Sequence, residues 1–154
     1  MNPFMELAIE EARKGFNRNH GGPFGAVIVK DGEIIASAHN EVLGTNDPTA
    51  HAEVFAIRKA CALLESHDLS DCEIYSTTEP CPMCFSAIYW SRLKKLYFGT
   101  TRDDVAVIGF DDSLIYDILS GKARVVQMES INVDRGSCLE LLTEWDAKPD
   151  KVLY

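Results

Sequence analysis

The chain is poor in positive charge: 15 Lys and Arg stand against 24 Asp and Glu, a formal net charge of -9 at pH 7. Proteins that bind polynucleotides draw much of their affinity from neutralising phosphates with Lys and Arg, so this balance weighs against a polynucleotide partner. The densest basic stretch is only Arg92-Leu93-Lys94-Lys95. Nor does the chain contain an apolar run long enough to cross a bilayer, and Met1-Asn2-Pro3 leads straight into an amphipathic segment with no signal-peptide core. No membrane association is therefore expected, and the expected compartment is the cytoplasm. The five cysteines are an odd number and make no disulfide framework. Cys61, Cys72 and Cys138 fall in apolar-patterned segments and read as buried free thiols. Repeats, low-complexity tracts and linkers are also missing. With 46% hydrophobic residues in 154, the expectation is one domain over residues 1–154 with one core.

Against this plain background two short motifs stand out, His51-Ala52-Glu53 and Pro80-Cys81-Pro82-Met83-Cys84. His51, Cys81 and Cys84 form the three-ligand set of a catalytic zinc whose fourth tetrahedral position is left to water. Cys81 and Cys84 are three apart, so on a helix starting near Pro82 they share a face and can grip one ion. Pro82 suits the first helical turn, where its missing N–H would have no partner. Glu53 is left over as a carboxylate that binds no metal and is free to move protons. Taken alone, the Cys-x-x-Cys pair reads equally as a structural zinc half-site or a redox pair, and His-x-Glu carries little information. A structural zinc needs a fourth protein ligand, however, and the chain has no second Cys-x-x-Cys and no His-x-His. The two motifs together therefore favour one zinc ion, with a bound water or hydroxide and an acid/base beside it.

Hydrophobic spacing places these motifs on elements. Phe4, Leu7, Ala8, Ala12 and Phe16 predict a helix over Phe4–Phe16. Strands at Ala26–Val29 and Ile34–Ala38 flank Asp31-Gly32, a dipeptide that readily supplies the positive φ angles of a tight hairpin. A loop over Asn40–Pro48 leads to a helix that runs from His51 to about Leu64, with Thr49 as its cap. Further along, a strand is expected at Glu73–Thr77, a helix at Pro82–Ser91, a strand at Leu96–Gly99, helices at Leu114–Leu119 and Cys138–Trp145, and a short strand at Arg124–Met128. This order predicts an α/β fold, a three-layer α/β/α sandwich with a mixed five-stranded sheet.

The motifs resemble those of the cytidine deaminase superfamily, in which a zinc held by one His and two Cys works beside a non-ligand Glu. The resemblance runs through Gly21–Val29, Asn46–Glu53, Glu79–Cys84, Ala87–Trp90, Gly109–Ser113 and Tyr154, and is strongest to the bacterial guanine deaminases. The zinc motifs are shared with tRNA adenosine deaminases. Gly109-Phe110-Asp111-Asp112-Ser113 and the terminal tyrosine are what point to guanine. The resemblance implies hydrolysis of guanine to xanthine and ammonia, with zinc hydroxide attacking carbon 2 and Glu53 shuttling the proton. Asp112 is implied as a second catalytic carboxylate that also binds substrate, and Asn40 and Tyr154 are implied to contact the purine. Phe24 and Trp90 offer apolar faces for stacking. It further implies a homodimer whose C-terminal segment is swapped to close the partner's site, acting on a small nucleobase in purine metabolism. The competing readings are a deaminase of cytosine, guanosine or an aminotriazine, a tRNA adenosine deaminase, and a non-catalytic zinc-stabilised dimer module. Charge weighs against the tRNA reading and the presence of Glu53 against the last.

Overall fold

Asp31 and Gly32 both adopt positive φ, 50° and 80°, which turns the chain back on itself after six residues of strand. The resulting hairpin pairs β1 (Gly25–Lys30) with β2 (Glu33–His39) antiparallel, with one register shift between Ile28 and Val29. The computed structural model describes residues 1–124 and 128–153. It divides into two compact units, Met1–Tyr116 and Asp117–Tyr154.

In the first unit, α1 (Pro3–Asn17) begins where the Asn2 side chain accepts from the N–H groups of Phe4 and Met5. After the hairpin come α2 (Val42–Thr45), α3 (Ala52–Leu64), β3 (Cys72–Thr78), α4 (Pro82–Trp90), β4 (Lys95–Thr100) and α5 (Arg102–Ala106). The sheet order is β2-β1-β3-β4, with β1 and β3 antiparallel and β3 and β4 parallel. Successive residues of β1 serve opposite faces, as the period of two requires. Val27 and Val29 join Ala8 and Tyr75 under α1, while Ala26 and Ile28 join Ile74 and the buried alanines of α3. Ala52, Ala56 and Ala60 are all fully buried at four-residue spacing, a stripe without bulk that lets α3 lie close on the sheet. Gly25 does the same for α1, since a Cβ there would stand 2.0 Å from the Ala8 carbonyl oxygen. Helix, sheet and helix form the three expected layers, with α4 beside α3 on the far face.

Four details depart from the sequence expectation. The expected loop over Asn40–Pro48 contains α2, a single turn ended by Asn46 in the left-handed region. The cap of α3 is His51 and not Thr49, because Thr49 bonds back to Asp47 through both its N–H and its hydroxyl. Helix α5 was not anticipated, although its capping box, Thr101 reciprocated by Asp104, is present in the sequence. Cys72 is buried as expected, but Cys61 is only half-buried and Cys138 is exposed. The fifth strand expected over Arg124–Met128 falls on residues 125–127, which lie outside the described residues; among the described residues the sheet has four strands.

Helix α6 (Ser113–Leu119) crosses the boundary between the units, and α7 (Arg135–Asp146) belongs to the second. No described residue of the second unit is buried, and Leu141, Leu142, Val152 and Leu153 are each more than half exposed. No helix among the described residues is long and apolar enough to cross a membrane.

Candidate active site

Two helices begin at the residues singled out by their metal-binding chemistry. His51 is the N-cap of α3 and Cys81 the N-cap of α4, both in extended backbone, and neither side chain caps its own helix. Ser, Thr, Asp or Asn would ordinarily hold these positions and satisfy a first-turn N–H. Here both cap side chains turn instead toward a common point. His51 Nδ1 lies 3.6 Å from Cys81 Sγ and 3.5 Å from Cys84 Sγ, and the three donor atoms lie within 4.8 Å of one another. Zinc with bonds of about 2.05 Å to nitrogen and 2.3 Å to sulfur at a tetrahedral angle requires an N···S edge of about 3.6 Å. The donors thus already stand at the spacing the ion requires, and among the described residues this is the only such cluster.

The electrostatics suit cation binding. Cys81 is held down to about 4, first by the hydrogen bond from the Cys84 thiol and then by the His51 ring. Cys84 is pushed up for the converse reason: it keeps the proton it shares with Cys81, and it is buried near Glu53. The Cys81 contact raises His51. A divalent ion replaces these protons and leaves both sulfurs as thiolates. Each helix start adds the positive end of its dipole.

Glu53, on the first turn of α3, is 6% exposed and accepts a hydrogen bond of 3.1 Å from Ser76 Oγ on β3. Burial raises its pKa, so it holds a proton more readily than an exposed glutamate. Glu53, His51 and Cys81 open onto a cavity of about 320 Å³ that is also lined by Phe24, Thr78, Arg102, Phe110 and Asp112. Phe24 and Phe110 meet edge to face, ring centroids 4.9 Å apart. Asp112 is raised by burial and by the nearby Cys81, against the opposing pull of Arg102.

The structure therefore brings Phe24, His51, Glu53, Cys81, Cys84 and Asp112 together. Asn40 is 4% exposed and is not among the residues lining the cavity; its side-chain oxygen accepts from the N–H groups of Gly22 and Val42, pinning the loop that leads to Phe24. A Cβ at position 21 would stand 2.0 Å from that oxygen, which requires the glycine. Trp90 is 70% exposed at the far end of α4 from Cys81 and does not line the cavity in this chain. Tyr154 lies outside the described residues. Arg102 and Phe110 are additions that spacing did not single out. Phe110 lay within a quoted motif without being assigned a role, and the capping box at Thr101 could have drawn attention to Arg102.

A three-donor cation site, half-buried at His51 and Cys81 and buried at Cys84, with a protonatable, non-ligand glutamate beside it defines a zinc hydrolase centre. The family model for the cytidine and deoxycytidylate deaminase zinc-binding region matches residues 1–100, and the chain belongs to that family. Its similarity to guanine deaminase of Bacillus subtilis is 56% identity over 113 residues, covering 73% of this chain and 72% of the relative. The X-ray structure of guanine deaminase from Bacillus subtilis superposes with a TM-score of 0.93 and 46% identity, covering 100% of this chain and 99% of that one. A tRNA-specific adenosine deaminase from Aquifex aeolicus is 48% identical over 96 residues, covering 62% of this chain and 63% of the relative.

Proposed function

We propose that this protein hydrolyses guanine to xanthine and ammonia. The observation that carries this reading is the full-length structural match to a guanine deaminase at 46% identity, whereas tRNA-specific adenosine deaminases are 48% identical over 62% of the chain or 30% identical over 92% of it. The cavity falls in the size range of small-molecule sites, and the net charge of -9 offers little to a tRNA.

His51, Cys81 and Cys84 would hold the zinc, which when bound supplies a Lewis acid that lowers the pKa of water toward about 7. Glu53 takes a proton from the attacking water and delivers it to the ring nitrogen next to carbon 2 of guanine. Its burial and the Ser76 hydroxyl hold the carboxyl in place for that transfer. Water oxygen bonds to carbon 2, the remaining water proton passes through Glu53 or Asp112 to the exocyclic amine, and the carbon–nitrogen bond breaks to release ammonia. Phe24 presents an apolar face to the base, and Asp112 accepts from its N–H groups. Asn40 and, by way of a second subunit, Tyr154 complete the purine contacts in this reading.

The assembly is a homodimer with exchanged C-terminal segments, working in the cytoplasm. A segment of 38 residues that buries none of its described side chains has no core of its own and requires a surface to cover it. The test is ammonia release over a panel of purines, pyrimidines, their nucleosides, aminotriazines and a tRNA hairpin. Guanine should be turned over fastest, and preference for the hairpin or for cytosine would overturn the assignment. Mixing Asp112→Asn subunits with subunits lacking Tyr154 should restore part of the activity, since one site of each heterodimer is intact. Proven heterodimers without activity would discard the exchange.

A further inference from the structure

Three stretches of chain meet at one point beside the metal donors. Pro80 is fully buried immediately before Cys81, and its carbonyl accepts a hydrogen bond of 3.1 Å from the Tyr116 hydroxyl. The other face of this junction is closed by Arg102, whose guanidinium carbon lies 4.5 Å from the centre of the Tyr116 ring. The Arg102 backbone N–H donates to Glu79 Oε2, one residue before Pro80, and the Glu79 N–H donates to the Thr100 carbonyl. Tyr116 is thus tied at its hydroxyl to the segment that presents Cys81 and at its ring to the start of α5.

Tyr116 also lies one helical turn after Asp112. The Asp112 carbonyl accepts from the Ile115 N–H at 3.0 Å and from the Tyr116 N–H at 3.4 Å. These bonds make Asp112 and Tyr116 the two ends of a single rigid turn, and moving one moves the other. We infer that Tyr116 is a positioning residue: its bond to the Pro80 carbonyl sets how far the Asp112 carboxylate stands from the metal donors and Glu53. The hydroxyl has no contact with the cavity in its own right, and neither Tyr116 nor Pro80 lines it. Its effect on chemistry runs through Asp112. Arg102 supports the arrangement from the other side, as a cation over the Tyr116 ring and as an opposite charge near Asp112.

This inference rests on the reading of Asp112 as a carboxylate that faces substrate, so the experiment separates the two. Steady-state guanine turnover and bound zinc are measured for the zinc-loaded parent, Asp112→Asn, Tyr116→Phe and the double variant. Removing the hydroxyl leaves the buried carbonyl without its donor and loosens the turn, and small misplacements of a reacting group cost up to about a hundredfold. The expected result is a loss of about tenfold to a hundredfold in kcat for Tyr116→Phe with zinc content unchanged, and a further change of less than about twofold when Tyr116→Phe is added to Asp112→Asn. An equal loss in both backgrounds, or no loss in the parent background, would overturn the inference while leaving the Asp112 reading intact. An Asp112→Asn protein as active as the parent would remove the Asp112 reading and the inference together. Tyr116→His, which keeps a ring under Arg102 but is too short to bond the Pro80 carbonyl, carries the same cycle should Tyr116→Phe prove insoluble; a loss that vanishes in the Asp112→Asn background supports the inference, and one that persists there overturns it.

Discussion

Glu53→Gln isolates proton transfer from everything else the residue does. Gln has the same length and keeps an acceptor for the Ser76 hydroxyl, 3.1 Å away, so the start of α3 and the position of His51 should be preserved. None of the three metal donors is touched, and zinc should remain at one equivalent per chain. An amide cannot take up and return a proton, and general acid–base catalysis is ordinarily worth at least about a hundredfold, or about 2.7 kcal/mol of barrier. The metal-free fold should behave in the opposite direction. Burial raises the Glu53 pKa in the folded state, so its ionised form opposes folding; that penalty is absent below the ordinary glutamate range and grows as pH rises through the folded value. The amide removes it, and the stability of the metal-free variant should match or exceed that of the parent at neutral pH. Ammonia release, zinc content by atomic absorption and urea unfolding of both proteins make the comparison. Turnover above about a tenth of the parent with full zinc would refute the assignment of Glu53 as shuttle.

Cys84→Ala removes a buried donor, and with two donors remaining zinc and activity should be lost together; full occupancy measured by metal analysis would sink the ligand set. Ala56→Leu forces a larger side chain between α3 and the sheet and should cost about 1–3 kcal/mol in thermal unfolding, and an unchanged midpoint would contradict the close packing of that helix. Asp68, held well below the usual carboxylate range by the Ser70 and Arg92 hydrogen bonds, contributes stability that is present above its unfolded value near 3.8 and lost as pH falls below it. Asp68→Asn should therefore flatten the acid side of the urea-midpoint profile, and identical profiles from pH 2 to 6 would count against that ion pair.

The elements read correctly from sequence are those whose local signals agree with their tertiary setting. Asp31-Gly32 can hardly do other than turn a hairpin, and the apolar spacing from Phe4 to Ala12 matches the buried face of α1, while Phe16 at its end is left exposed. Helices α2 and α5 have four and five residues, too few for periodicity to register, and Asn40 and Thr101 organise them through side-chain bonds. The donors and Glu53 were legible because their residue types and spacing are uncommon together. Their partners were not. Ser76 meets Glu53 across 23 positions, and Tyr116 meets Pro80 across 36, contacts fixed by strand register and by the return of α6.

The connection from β3 to α4 consists of Glu79, Pro80 and Cys81 alone. One residue added before Cys81 would carry both cysteines away from His51, and one added between Cys81 and Cys84 would turn Cys84 by about 100° off the face the two share. At the opposite end of the same helix, where Trp90 lies largely in solvent, added chain disturbs no donor. Tolerance to insertion is therefore steeply uneven along a helix of nine residues. Chain added beyond the end of α4 leaves the donor spacing intact, while the step from β3 into the helix has a fixed count.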